Sequence, residues 1–196
     1  GTIEFFPEEG KYHNDGHRNC NIHWDPLTTL EHHGICPVCG KPVTRGVMYR
    51  VAELADRSDP SLANSKQTHW SITPLPNLIA EIEQKKNPRC KTVANKYFKL
   101  LNSLGPEFQI LLETPLNTIK NQAGELTARG IQRLREELVN AEGGYDGEFG
   151  NVSLFSKEEI NNFNTRTLFK NEANNNTSHY SSLSFDINKF KQKRNS

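Results

Sequence analysis

Four residues near the amino terminus have the types and the spacing of metal ligands. Cys36 and Cys39 enclose a C-x-x-C turn followed by Gly40, and His17 and Cys20 repeat the same two-residue gap upstream. The two half-sites are separated by fifteen residues, a spacing with which structural zinc loops wrap one tetrahedral ion. The pattern HxxC…CxxC therefore predicts a zinc site.

The fourth ligand is the open part of this pattern. His17 occupies the matching position, but five further side chains that could complete the tetrahedron crowd the same stretch: His13, Asp15, His23, His32 and His33. The remaining cysteine, Cys90, stands alone in the run NPRCKT. A solitary cysteine is more often an inert thiol than a ligand, so Cys90 is left out of the predicted site.

Composition limits the classes of protein to which the chain can belong. Its 196 residues carry a net charge of +1, which excludes a broad basic nucleic-acid surface. Residues 156–196 hold seven Lys or Arg against four Asp or Glu, so residues 1–155 carry a charge of −2. No apolar run approaches a membrane span, and the opening residues lack a signal-peptide pattern. Few cysteines beside clustered histidines favour a reducing compartment, so we expect a cytoplasmic protein without a membrane partner.

The pattern along the chain predicts an α+β fold in three parts. Residues 1–57 form a small zinc-binding module with an extended opening, and its residues 46–57 could be helical. Residues 58–156 form a mainly helical domain that begins with a loop over 58–72 and ends in a glycine-rich loop and a short strand. Residues 157–196 are too polar to bury a core, and we expect a disordered linker or tail.

Helical periodicity occurs in four segments of the second part, and their apolar faces are predicted to form a core. The segments are 76–86, 93–105, 115–123 and 125–143. Thr114 and Pro115 suit the N-cap and first position of the third helix, and the run FQILL before them is predicted to be buried. The fourth segment carries an apolar stripe of Leu126, Ile131, Leu134, Leu138 and Ala141.

Four residues of this part are candidates for binding nucleic acid. Lys120, Arg129 and Arg133 could grip phosphates, and Tyr145, in the glycine-rich run GGYDGEFG, could stack on an unpaired base. The competing interpretations are a solvated helix face and an aromatic ring that packs internally. The basic residues near the carboxyl terminus could contact nucleic acid nonspecifically: Lys189, Lys191, Lys193 and Arg194.

A resemblance to a known family is carried by several segments together. They are FFPEEGKYHNDGHRNC, GICPVCGKPVTRGVMYRVAELADR, PLPNLIAEI, FQILLETPL and GGYDGEFGNVSLF. Over residues 2–156 they resemble the downstream half of the endonuclease Q family of repair nucleases. The resemblance implies nicking of DNA beside deaminated bases or abasic sites, with DNA as partner, and it carries over the ligand set Cys20, Cys36, Cys39 and His17.

The resemblance also implies where catalysis takes place. The upstream half of the family is a PHP metal domain with an HxH pair, and no HxH occurs in this chain. We therefore expect the chain not to cut DNA alone and to have the PHP domain as its partner. Some bacterial relatives resemble fusions to a UvrD/Rep-type helicase, so residues 157–196 could link to a helicase domain.

Two further functions compete with a DNA-engaging role. A zinc-stabilised module that docks a helicase or another protein fits the near-neutral charge and the polar tail. An enzyme that uses the zinc as a Lewis acid would need an open coordination position beside an acid or base, for which Glu31 or Asp15 could serve. Four sulfur and imidazole ligands would close that position.

Overall fold

The computed structural model describes residues 1–57, 68–168 and 185–195. The helices are α1 (Pro26–Glu31), α2 (Val47–Leu54), α3 (Leu75–Ile82), α4 (Lys91–Leu104), α5 (Glu107–Leu112), α6 (Leu116–Ala123), α7 (Glu125–Arg135), α8 (Lys157–Leu168) and α9 (Ile187–Arg194). The strands are β1 (Thr2–Glu4), β2 (Asp15–His17), β3 (Ile22–Trp24), β4 (His69–Ser71), β5 (Asn140–Glu142) and β6 (Asn151–Ser153). None of these described helices has both the length and the apolar character needed to cross a membrane.

The strands pair into three two-stranded sheets, so the described fold mixes helix and sheet as the α+β prediction requires. β1 pairs in parallel with β4, with Ile3 opposite Trp70. β2 with β3 and β5 with β6 form antiparallel pairs. Isolated two-stranded sheets are marginal in water, so each pair depends on the loops and helices packed around it.

The main core lies between helices α3 to α7, in agreement with the predicted apolar faces. Leu75, Leu78, Ile110, Ile119 and Ile131 are completely buried. α6 and α7 are connected by Gly124 alone, whose φ of +91° lies in the left-handed region that favours glycine. The second and third predicted helices, 93–105 and 115–123, are confirmed to within two residues as α4 and α6.

The predicted helix over 125–143 ends eight residues early, at Arg135. Glu137 adopts a left-handed φ of 54°, and the Leu138 amide donates to the carbonyl of Arg133 at 2.8 Å. This is the hydrogen bond of a Schellman ending, formed here without glycine. Ala141 is exposed on β5, so the prediction that Ala141 belongs to the apolar stripe of this helix is wrong.

Three smaller predictions also need correction. Thr114 does not cap α6, because its hydroxyl donates to the carbonyl of Gln109 and Pro115 holds the N-cap position. The run FQILL is a helix whose Phe108 is exposed, although Ile110 and Leu111 are buried. The predicted loop over 58–72 contains strand β4, and its residues 58–67 lie outside the described residues.

The amino-terminal segment belongs partly to the helical core. Phe6 is almost completely buried and packs in the same cluster as the α3 to α7 side chains. The amide of Ile72 donates to the Glu4 carbonyl, which extends the pairing of β1 with β4. The opening of the predicted zinc module therefore packs on the second part of the chain.

The segment after β6 is fixed by two charged side chains. The Glu81 carboxylate accepts hydrogen bonds from the amides of Leu154 and Phe155 at 2.8 and 2.7 Å. Burial raises the pKa of Glu81, although these two amides partly offset the effect. Arg133 donates to the Leu154 carbonyl and pairs with Glu159 on α8 at 2.5 Å, which ties α8 to α7.

The predicted disorder of residues 157–196 is wrong for the two described parts of that range. Residues 157–168 form α8, and α9 packs against α1 and α2 through Phe190, which is completely buried. Residues 169–184 and 196 lie outside the described residues. An apolar pair, Ile187 and Phe190, on an otherwise polar helix supplies the docking face.

Candidate metal centre

Two tight turns bring the four predicted ligands together. The first runs from β2 to β3 through a 3-10 turn, Arg18–Cys20, and places His17 and Cys20 at its ends. The second encloses Cys36 and Cys39, where the Gly40 amide donates to the Cys36 carbonyl at 2.9 Å. We call residues 13–54, which contain both turns together with α1 and α2, the metal module.

The ligand atoms of this group are close enough to share one ion. One atom from each of His17, Cys20, Cys36 and Cys39 lies within 4.8 Å of every other, and Cys39 Sγ is 3.4 Å from His17 Nδ1. A tetrahedral zinc about 2.3 Å from sulfur and about 2.0 Å from nitrogen requires separations of about 3.5–4 Å. Small side-chain shifts would therefore suffice to close a metal site, and among the candidate fourth ligands His17 is the one that lies with the three thiols.

The surroundings of Cys36 and Cys20 shift the pKa values of their thiols in opposite directions. Burial alone would raise the pKa of Cys36, but hydrogen bonds from His17 and from the amides of Cys39 and Val38 lower it to about 6. Burial and the adjacent thiols raise the pKa of Cys20 to about 11. One thiolate is thus available at neutral pH to bind a cation, and the cation would then favour loss of the other protons.

The five alternative ligands have other positions in the described structure, and none belongs to this group. His13 is buried with its Nε2 4.0 Å from a Glu8 oxygen, and Asp15 accepts from the Gly46 amide at 2.6 Å. Burial raises the pKa of Asp15, although hydrogen bonds from Thr29 and Gly46 partly offset it. His23 and His32 stack on Tyr145 and Trp24, and His33 is exposed.

A carboxylate far along the chain joins the first turn to the segment that follows the second turn. Asp146 accepts from the Arg18 amide at 2.8 Å and from the Thr44 hydroxyl at 2.6 Å. Arg18 follows the ligand His17, and Thr44 pairs through its backbone with Gly16, the residue before that ligand. The sequence offers one local signal at this residue, the Asp-Gly pair at 146–147, which is typical of a tight turn. We therefore assign Asp146 a positioning role at the metal centre.

The glycine-rich loop around Asp146 packs directly on the metal module and its flank. The amide of Gly144 donates to the Glu8 carbonyl, and the Gly144 carbonyl accepts from the Asn14 amide at 2.9 Å. A Cβ on Gly150 would overlap the Glu8 carbonyl, so the close approach requires glycine. The loop is therefore a structural part of the candidate site.

Tyr145 lies where the glycine-rich loop packs on the metal module. Its ring stacks on His23 with a centroid distance of 4.4 Å, and its hydroxyl donates to Asn21 at 3.3 Å. One face of the ring is thus already covered by a protein side chain. The predicted stacking of Tyr145 on a base stays a prediction, and only the remaining surface of the ring could serve it.

Replacing Asp146 by Asn should weaken the attachment of the loop. Residue 146 has a φ of 45°, which Asn tolerates well, while the amide oxygen can serve fully only one of the two donors. We expect a loss of about 1.5–3 kcal/mol in the free energy of unfolding, the range for a hydrogen bond to a charged group, with the metal retained. Urea unfolding of the metal-loaded protein measures this loss.

Glu148→Gln is the matched control for this substitution. Glu148 belongs to the same loop, but it contributes only an exposed ion pair to Arg18 at 3.7 Å. Such pairs contribute little, so we expect a change within about 0.5 kcal/mol. Equal losses in the two variants would contradict the bridging role of Asp146.

Burial alone would raise the pKa of Asp146, but hydrogen bonds from Thr44 and the Arg18 amide outweigh it and lower that pKa. The contribution of Asp146 to the free energy of unfolding is therefore present at neutral pH and is lost on acidification below about pH 4.

The basic candidates for nucleic-acid binding lie on the helical part. Lys120 and Arg129 are half-exposed and both pair with Glu125, at 2.5 and 3.3 Å. Arg133 differs because its guanidinium is mostly buried, pairs with Glu159 and lies 4.8 Å from the Phe155 ring centroid. The DNA-binding role of these three residues stays a prediction. The contacts of Arg133 attach α8 and the segment after β6 to α7.

The helical part of the chain matches a known family model. Residues 74–138 match the family model described as the MJ0043 C-terminal domain, a range that contains α3 to α7. The chain is also 24% identical over 150 residues to the uncharacterized protein MJ0043 of Methanocaldococcus jannaschii. That similarity covers 76% of this chain but only 18% of the archaeal protein.

Two solved structures have a similar fold over most of the chain. One is the novel lesion-specific endonuclease PfuEndoQ from Pyrococcus furiosus, with a TM-score of 0.67 and 23% identity over 82% of this chain. The other is Endonuclease Q in complex with a 27-mer duplex substrate with an abasic lesion at the active site, with a TM-score of 0.66 and 26% identity over 81% of this chain.

The similarity covers only part of each of these proteins. The chain spans 40% and 38% of the two Endonuclease Q chains, so it corresponds in fold to about two fifths of an Endonuclease Q. The predicted resemblance is therefore confirmed at the level of fold. None of the names of these proteins mentions a helicase or a PHP domain.

Proposed function

We propose that this chain is the zinc-binding, DNA-engaging part of a repair endonuclease of the Endonuclease Q type, acting beside deaminated bases or abasic sites. The observation that carries the proposal is the similarity of fold to an Endonuclease Q solved with a duplex that has an abasic lesion at its active site. The four-ligand group adds a second feature, because it gives the amino-terminal part a specific means of folding.

Zinc is the metal that the donor set fits best. Three thiolates and one imidazole in a tetrahedral arrangement select zinc over magnesium or calcium, which prefer oxygen ligands. Four protein ligands also leave no open position for water, as is typical of structural rather than catalytic zinc. The two possible acid or base groups are engaged, Asp15 with the Gly46 amide and Glu31 with Lys193, so we assign the ion a structural role.

Catalysis is then supplied by residues that this chain does not contain. We propose that the reaction takes place in an upstream PHP metal domain, as the resemblance implies, and that such a domain is the partner of this chain. An exposed apolar surface on the β1–β4 sheet, formed by Ile3, Phe5 and Trp70, is a suitable contact because a two-stranded sheet has unpaired edges. A cytoplasmic location stays a prediction, consistent with four cysteines that form no disulfide.

Lys120 and Arg129 are the better basic candidates for phosphate contacts within this proposal. Both are exposed, and together they carry two positive charges against the single carboxylate of Glu125. Two lysines of the adjoining cavity of about 810 Å³, Lys85 and Lys99, add positive charge, while its third lysine, Lys96, pairs with Glu83. Each phosphate neutralised by such a side chain makes binding more sensitive to salt.

DNA binding by the isolated chain tests the proposal. Fluorescence anisotropy with a labelled duplex that carries an abasic-site analogue should show binding at about 50 mM salt and a steep loss of affinity at about 200 mM, because phosphate contacts release counterions. Incubation with Mg²⁺ or Mn²⁺ should leave the duplex uncut. Indifference to DNA at low salt would favour a protein-docking module, and nicking by the chain alone would refute the placement of catalysis elsewhere.

A further inference from the structure

The most exposed large apolar side chain in the described part of the protein is Phe149, at 73% exposure. It lies in the glycine-rich loop, two residues before β6 and three residues after Asp146. The other aromatic ring of this loop, Tyr145, packs on His23. Phe149 is therefore the aromatic side chain that the loop exposes to solvent.

The backbone that carries Phe149 is held from several sides. Tyr145 and Glu148 exchange two backbone hydrogen bonds across the turn, at 3.1 and 2.8 Å. The Gly147 amide donates to the Lys11 carbonyl at 3.0 Å, and Asp146 accepts from the Arg18 amide and the Thr44 hydroxyl. A ring on a loop fixed in this way loses little conformational entropy on binding, which is the advantage of preorganisation.

Lys11 lies over the Phe149 ring, and further basic and aromatic side chains lie beside the same loop at Gly147. Lys11 Nζ lies 4.6 Å from its ring centroid, and Tyr12, at 52% exposure, follows Lys11 in the chain. Arg18 is exposed and lies beside Gly147, with Glu148 as its ion-pair partner. We call Lys11, Tyr12, Arg18 and Phe149 the aromatic-basic surface.

We propose that the aromatic-basic surface binds DNA where the base stack is interrupted. Phe149 packs on the face of a base that a missing or unpaired neighbour leaves exposed, and Lys11 and Arg18 contact the flanking phosphates. This inference rests on the proposed DNA-engaging function and adds to it the residue that distinguishes interrupted from intact duplexes. Intact B-DNA offers no free base face, whereas apolar side chains insert at, or stack on, disrupted steps.

The chemistry of the surface favours nucleic acid over a protein partner. Protein contacts are depleted in lysine and centre on apolar anchors in pockets, whereas here Lys11 lies over one exposed ring and Arg18, paired with Glu148, lies beside the same loop. An aromatic face with neighbouring basic side chains is the combination that binds unpaired nucleotides. The Ile3, Phe5 and Trp70 surface, which has three apolar side chains, is the better candidate for a protein contact.

Phe149→Ala tests this inference in the full zinc-loaded chain. Loss of stacking on one base corresponds to about a 5- to 150-fold loss of affinity for a duplex with an abasic-site analogue. Affinity for the matched intact duplex should change less than about 2-fold. Phe149→Leu, which keeps an apolar side chain without an aromatic face, should show most of the same loss. Phe108→Ala, a comparably exposed phenylalanine on α5, should change neither affinity.

Lys11→Ala separates the phosphate contact from the stacking. It should weaken both duplexes by similar factors and reduce the slope of log affinity against log salt by about 1. Circular dichroism and zinc content, measured for every variant, verify that the loop and metal module remain folded.

The outcomes distinguish this inference from the function on which it rests. Absence of binding to any duplex at low salt overturns both. Binding by the wild type with no loss in Phe149→Ala, or with equal losses on abasic and intact duplexes, overturns only the role of Phe149. A loss confined to the abasic duplex supports the assignment.

Discussion

Replacing Cys36 by Ser should release the metal and unfold the metal module, while the helical core of α3 to α7 remains folded. Cys36 is completely buried and is the ligand whose pKa is lowered to about 6, and a serine hydroxyl does not ionise to replace its thiolate. Structural zinc contributes about 10–16 kcal/mol in zinc-finger peptides, which equals or exceeds the typical stability of a domain, about 5–15 kcal/mol. Elemental analysis and hydrogen exchange measure the two expected effects.

Cys90→Ser is the matched control, because it removes a thiol of the same chain without touching the metal group. Cys90 holds the N-cap position of α4 and packs against the helical core, and serine is a favourable N-cap residue. We expect this variant to retain one metal ion and to exchange its metal-module amides as the wild type does. Stoichiometric zinc in Cys36→Ser would remove Cys36 from the ligand set.

Replacing Phe190 by Ala should detach α9 from the metal module. The Phe190 ring is completely buried and meets the edge of Tyr49 at a centroid distance of 5.3 Å, beside the buried Ala52. Truncation of a buried phenylalanine costs about 3–5 kcal/mol, although detachment of the helix limits the loss to its docking free energy. Urea unfolding and hydrogen exchange of the α2 and α9 amides measure the effect.

Gln192→Ala is the control on the same helix, because Gln192 is exposed and surface changes stay within about 0.5 kcal/mol. The basic residues of α9 were candidates for nonspecific contacts with nucleic acid, but three of them have partners within the protein. Lys193 and Arg194 pair with Glu31 and Glu53, and Lys191 donates to the Ala55 carbonyl. Unchanged stability and exchange in Phe190→Ala would show that α9 is not docked in solution.

The grouping of the four candidate metal ligands was predictable because its signal is local. A C-x-x-C turn with a following glycine specifies its own backbone, and the Gly40 amide closes it on Cys36 as the pattern requires. The choice of His17 over five competitors depended on the pairing of β2 with β3 and of Gly16 with Thr44. Asp146 contacts Arg18 across 128 residues, so no local pattern could reveal its role.

The helical predictions failed where tertiary contacts override periodicity. The apolar stripe continued past Arg135, but β5 pairs with β6 and places Glu137 in a left-handed conformation that sequence alone disfavours. The tail prediction followed average polarity and missed two apolar side chains three residues apart, Ile187 and Phe190, which are both buried where α9 docks. Composition measures the mean of a segment, whereas docking depends on which side chains share a face.

X-ray absorption at the zinc edge, on protein purified without added metal, tests the central claim most directly. The account predicts one zinc ion per chain with a first shell of three sulfur atoms at about 2.3 Å and one nitrogen at about 2.0 Å, from Cys20, Cys36, Cys39 and His17. A folded chain that contains no transition metal, or a shell with fewer than three sulfur atoms, would contradict it.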